Sequence, residues 1–218
     1  MNIKFSEIIV ALVLIPHLVN GFYDYHLSQY SLLLYAVVRV LTTALIPLTG
    51  MIILIKKCNY KAVDFGLVFS NNLITILGVI LTVIILILFW QYFPVFYYQR
   101  INPLIVSLFP VNYFKMPNPK TISQLSFLLG IIFIPLFAGF FEEIYYRGIL
   151  YKIFKERKTA TFFIILIASG LFALSHWEAG IYYLLLTFTI AIFLTWFYAK
   201  YRTVLPLIIA HIFVDIYV

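Results

Sequence analysis

Charge is what this sequence has least of. Only 11% of its 218 residues are Asp, Glu, Lys or Arg, against about a quarter in ordinary globular chains, and eight of them are acidic. A water-soluble globule does not combine so little charge with a hydrophobic fraction of 64%, and a disordered signalling tail does so even less. Cysteine is nearly absent too. Cys58 stands alone, forms no intrachain disulfide and excludes a disulfide-stapled secreted scaffold. Beside Lys56 and Lys57 it reads as a thiol near a helix end. The 15 Lys and Arg make no continuous basic stripe, so the net charge of +7 does not describe a nucleic-acid-binding surface. They stand singly or in short clusters, as topology signals do. No soluble domain and no low-complexity linker interrupts the chain.

What the sequence does have is long apolar runs, with 22 Phe and 17 Tyr suited to lipid-facing and interfacial positions. Runs long enough to cross a bilayer extend from Phe5 to Tyr23, Ser31 to Ile55, Asn71 to Phe93, Ile122 to about Tyr151, Ala160 to His176, Ile181 to Ala199 and Val204 to Val218. They predict an all-α polytopic membrane bundle of about seven transmembrane helices, with residues 1–218 as a single integral membrane domain. The first run follows Lys4 but has no small-residue cleavage site after Val19, so it reads as a retained helix. Alternate threading puts Lys4, Lys56, Lys57, Lys61, Lys152, Lys155, Arg157, Lys158, Lys200 and Arg202 on one face, and Arg100, Lys115 and Lys120 on the other. The positive-inside bias then predicts a cytoplasmic N-terminus, an external C-terminus and a multi-pass protein of the cell membrane. The stretch from Pro94 to Thr121 reads as an external interfacial connection.

With so few acids, each one inside a span needs a reason, because a charge at mid-bilayer costs about 2.5–3.5 kcal/mol on insertion scales. Three clusters stand out. In Glu142-Glu143-Ile144-Tyr145-Tyr146-Arg147 the spacing pairs Glu143 with Arg147 on one helix face and turns Glu142 toward another. The second is Phe172-Ala173-Leu174-Ser175-His176, and the third is His211-Ile212-Phe213-Val214-Asp215, where the carboxylate shares a face with the imidazole and can orient it. Taken singly, each also reads as an ordinary ion cluster, a hydrogen-bonded core histidine or a helix-stabilising polar pair. At 1.5 Å per residue, Glu142 lies ~15 Å from Lys152 and His211 ~13 Å from Arg202, which makes them level, whereas His176 lies ~27 Å from Lys158 and is the misfit. Pro135 is placed to kink the fourth helix and open a polar cavity.

Two carboxylates, an arginine and two histidines among apolar helices supply an acid, a base and oxyanion donors, so hydrolysis inside a membrane is the chemistry suggested. A serine route is weak, since Ser175 is expected on a different helix face from His176. Glu142, His176 and His211 are ligand types that also hold zinc, but no H-E-x-x-H spacing supports a metal and no cofactor is expected.

The ordered set E-E-x-x-x-R, F-x-x-x-H and H-x-x-x-[DN], here Glu142 to Arg147, Phe172 to His176 and His211 to Asp215, resembles the type II CAAX prenyl protease and bacteriocin-processing family, also called CPBP or Abi. The resemblance covers residues 137–218. It implies an intramembrane endopeptidase with neither a serine nor a cysteine nucleophile, acting without metal on a membrane-associated peptide, prenylated or bacteriocin-related, in a bacterial plasma membrane. Glu142 with His176 would activate water and His211 with Asp215 would stabilise the oxyanion. Glu143, Arg147 and Phe172 would support them. Asp215 stands where members closest to the eukaryotic protease have asparagine, so it would donate only if protonated, and otherwise would serve His211.

Other polar residues have plainer readings. Arg39 is either a snorkelling cation or a partner for a core carboxylate or a substrate terminus. Trp177, Glu178, Tyr182 and Tyr183 read as an aromatic belt at an outer turn. Glu7, His17, Asp24 and His26 read as interfacial. A non-catalytic self-immunity or scaffold protein that binds a peptide or membrane partner remains the alternative function. A proton-coupled transporter ranks below it, because no inverted repeat is visible. The partners expected are a peptide or membrane-protein substrate and the lipid bilayer, with no nucleic acid; the oligomeric state is left open.

Overall fold

The computed structural model describes residues 4–19, 32–68, 72–97, 132–177 and 180–217. Every regular element among them is helical. Helix α1 is Phe5–Leu18. Helix α2, Leu32–Val40, runs through a π-helical turn at Leu41–Leu45 into α3, Ile46–Cys58. The irregular turn has a local cause. Pro47 has no N–H to offer the Thr43 carbonyl one turn back, and within the same turn the hydroxyls of Thr42 and Thr43 donate to the carbonyls of Val38 and Arg39, at 2.9 and 2.6 Å.

Asn59 ends α3 in the left-handed conformation, and a 3₁₀ turn follows at Ala62–Phe65. Next come α4, Asn72–Phe96, and a long rod made of α5, Ile134–Glu142, a π-helical segment Glu143–Ile149, and α6, Leu150–Glu156. Helices α7, Thr161–Leu174, α8, Gly180–Tyr201, and α9, Leu205–Tyr217, complete the described chain.

Three stretches are long and apolar enough to cross a bilayer alone: Leu33–Cys58, Thr75–Pro94 and Gly180–Tyr201. Phe5–Leu18, Thr161–Leu174 and Leu205–Ile216 are apolar but shorter. The expected all-helical membrane protein is therefore present, while a count of seven spans is not shown. Leu12, Ile15, Leu73, Ile76 and Phe162 all lie exposed, which suits a lipid solvent. Helix α4 runs through Pro94 to Phe96, so the connection expected to start at Pro94 starts later; one missing N–H near a helix end removes a single bond and does not stop the rod. The rest of that connection, residues 122–131 of the fourth run, and Asp24, His26 and Glu178 lie outside the described residues.

Ion pairs gather the helix ends at one end of the bundle. Lys4 meets Glu156 at 2.9 Å, Arg157 meets Glu7 at 2.6 Å and Lys152 meets Asp64 at 2.8 Å. The Val204 N–H donates to the Gly66 carbonyl at 3.0 Å. Aromatic rings mark the opposite end, where Trp90, Phe93 and Tyr97 pack on Tyr182 and Tyr183, and the Trp177 indole N–H holds the Leu18 carbonyl at 3.0 Å.

Candidate active site

Residues 141–150, where α5 passes into the π segment, are all buried. Within this stretch Glu143 and Arg147 form the expected pair, Nη1 to Oε1 at 3.0 Å, with both side chains wholly inside the protein. The other guanidinium nitrogens find no hydrogen-bond partner among the described residues. The guanidinium lies instead over the Phe172 ring, 4.2 Å from its centre, where the electron-rich ring face attracts the cation. Phe172 also touches the rings of Tyr146, His176 and His211, with centroids 5.2, 5.0 and 6.2 Å apart. It is the shared wall of the cluster.

Helix α9 delivers His211 because Gly139 lets it come close: a methyl at Gly139 would meet Ile212 Cγ1 at 2.7 Å and its backbone nitrogen at 3.1 Å. His211 Nδ1 lies 2.8 Å from Glu143 Oε1. This corrects the expected orientation of the ring by Asp215. The nearest approach of that carboxylate is 3.6 Å, to Nε2, beyond hydrogen-bond range. A carboxylate only accepts, so Nδ1 carries the proton toward Glu143, and Nε2 faces Glu142 and Asp215.

Glu142 points away from the Arg147 pair, as the spacing predicts. Its Oε2 lies 3.9 Å from His211 Nε2 and its Oε1 lies 3.9 Å from His17 Nδ1. Side-chain exposure rises from 0% at Glu143 to 9% at Glu142, 14% at His211 and 35% at Asp215. The cluster therefore opens along α9, away from the end where the ion pairs gather.

His176 is not out of register. Helix α7 begins at Thr161, so the imidazole lies ~22 Å along it, and Glu142 lies ~21 Å from Glu156, where α6 ends. Lys152 lies a turn inside α6 and Lys158 lies outside both helices, so the two lysines are not level. His176 Nδ1 lies 3.1 Å from the Phe172 carbonyl oxygen; when Nδ1 holds the proton, Nε2 keeps the lone pair. Ser175 also departs from expectation. Its Oγ donates to the Phe172 carbonyl at 2.7 Å and lies 3.1 Å from His176 Nδ1, close to the ring but engaged with its own helix.

Two residues of the N-terminal helices join the cluster. His17 was expected at the interface, but it is 6% exposed and its ring stands edge-on to Tyr146, with centroids 6.4 Å apart. Arg39 is within electrostatic reach of Glu142, His17, His176 and Asp215. A lone histidine near the end of an apolar helix gives no spacing signal, and only an intramembrane position marked Arg39. Among the described residues no group of three or more His, Cys, Asp or Glu side chains is spaced to hold a metal ion. Pro135 lies in the first turn of α5 and is buried; the backbone irregularity nearest Glu142 is the π segment beginning at Glu143.

Residues 124–217 match the family model of the Rce1-like type II CAAX prenyl endopeptidases. The likeness covers this segment of the chain. No curated protein and no solved structure matches the chain. The Rce1-like segment contains Glu142, Glu143, Arg147, Phe172, His176, His211 and Asp215, while His17 and Arg39 come from outside it.

Proposed function

We propose that this protein is an intramembrane endopeptidase that hydrolyses a membrane-associated peptide with water activated by Glu142. The observation that carries the proposal is a buried carboxylate with an imidazole nitrogen 3.9 Å from each oxygen, inside a segment of a prenyl endopeptidase family. Glu142 takes a proton from water as the hydroxide oxygen bonds to the scissile carbonyl carbon. His176, with its Nε2 lone pair, assists. The negative oxygen that develops is met by Nε2–H of His211, which Glu143 and Arg147 hold in place. The proton on Glu142 then passes to the leaving nitrogen as the C–N bond breaks, which restores the carboxylate. Asp215, at the open end of the cluster, steadies His211 electrostatically at 3.6 Å.

The residues 1–218 act as one membrane-embedded unit with the lysine-bearing end in the cytoplasm, and the substrate is a prenylated or otherwise lipid-anchored peptide. No metal takes part. The purified chain in lipid, given a farnesylated CAAX peptide, is expected to cleave it. Glu142→Gln is expected to abolish turnover without lowering the melting temperature, and 1,10-phenanthroline is expected to leave the wild-type rate unchanged. Full turnover by Glu142→Gln would overturn the assignment of the base.

A further inference from the structure

Glu142 has an imidazole on each side, and only one of them lies in the Rce1-like segment. We propose that His17 is a positioning residue of the site, holding Oε1 of Glu142 so that Oε2 is presented to the water and to His211. The inference rests on Glu142 being the base.

The need for such a residue follows from the glutamate itself. The last torsion of a Glu side chain is broad and nearly two-fold, so a carboxylate engaged on one side only can rotate out of line. Neither oxygen of Glu142 hydrogen-bonds to another described residue at direct range. The 3.9 Å gap to His17 Nδ1 is too long for a direct bond, and a side-chain shift of about 1 Å closes it to one. His17 and His211 stand beside opposite oxygens, so hydrogen bonds formed there on a small closure hold both ends of the carboxylate and suppress the rotation.

Its surroundings among the described residues suit His17 to this task. It is buried at a helix end, and a buried imidazole requires a polar partner. Tyr146, edge-on at 84°, fixes its ring plane. Among the described residues, the other charged or titratable groups facing it are Arg39 from α2 and His176 beyond α7. Its helix does not depend on it for docking, because Arg157 binds Glu7 through two bonds of 2.6 and 2.7 Å at one end of α1 and Trp177 holds the Leu18 carbonyl at the other.

Two measurements test the proposal on the full chain. With ¹⁵N-histidine incorporated, the protein in micelles has four imidazoles to follow, and the His17 signals are those lost in His17→Asn. Glu142→Gln is expected to shift them. Unmoved His17 signals overturn the proposal whether or not any peptide is cut. With the farnesylated CAAX peptide, His17→Leu is expected to lower kcat about tenfold with KM and melting temperature unchanged. His17→Asn, which keeps a polar atom near the Nδ1 position, is expected to recover most of the rate. Equal losses in the two variants, or a loss confined to KM, overturn it. A wild-type chain that leaves the peptide intact overturns the peptidase reading instead, and the imidazole shift still decides the contact.

Discussion

Glu143 and Arg147 present the sharpest energetic question at the residue scale, because both are fully buried and opposite in charge. Removing Arg147 leaves the buried Glu143 with only His211 as a partner, so Arg147→Met is expected to cost about 3 kcal/mol, read as a lowered denaturation midpoint in detergent. Replacing both, as Glu143→Leu with Arg147→Met, is expected to regain most of that stability. Activity should not return with it, because His211 loses the oxygen that holds its Nδ1. This pair was legible in the sequence, since four-residue spacing on a helix puts two side chains on one face. So was the level match of Glu142 with His211, which now stand 3.9 Å apart. His17 was not legible. Its partner comes from a different helix, and contacts between distant segments leave no periodicity to read. The hydrogen bond from His211 to Glu143 rather than Asp215 was hidden for the same reason.

At the scale of elements, glycines decide how closely the helices approach. Gly148 packs against the backbone of Phe65 with no room for a methyl, so the turn Ala62–Phe65 fits the π segment only as long as that position has no Cβ. Gly148→Ala is expected to destabilise the fold by about 1–3 kcal/mol through overpacking. Gly170→Ala, with nothing within 4 Å of the added carbon, is expected to be neutral or to gain up to about 1 kcal/mol in helix propensity, the two compared by thermal unfolding. The same turn supplies a pH-sensitive link. A hydrogen bond from Lys152 holds the Asp64 carboxyl below its usual value. A depressed folded-state value contributes stability that is complete above the ordinary carboxylate range and is lost as pH falls through the lowered value. The pair is partly exposed, so its worth is about 0–1 kcal/mol. Asp64→Asn is expected to remove that share of the acid sensitivity in denaturation followed from pH 6 to pH 3. The existence of most helices was readable from apolar runs. Their ends were not, because hydropathy counts side chains and cannot see the turn at Ser175 or the survival of α4 past Pro94.

For the whole molecule, the lysine-bearing end and the aromatic end give the bundle a polarity that a single thiol can report. Cys58 ends α3 and is the sole cysteine. A membrane-impermeant maleimide is expected to leave it unlabelled in intact cells and to label it in inverted vesicles; labelling in intact cells would reverse the orientation. Three rods around the cluster, α1, α7 and α9, have 14, 14 and 13 residues, lengths of only ~20–21 Å beside a hydrocarbon layer of ~30 Å. Local thinning of the bilayer is one way in which a mismatch of this sort is relieved. A film thinned beside these rods is expected to bring headgroup water nearer the carboxylate, which a spin-labelled lipid series read against a label at the outer end of α9 would detect.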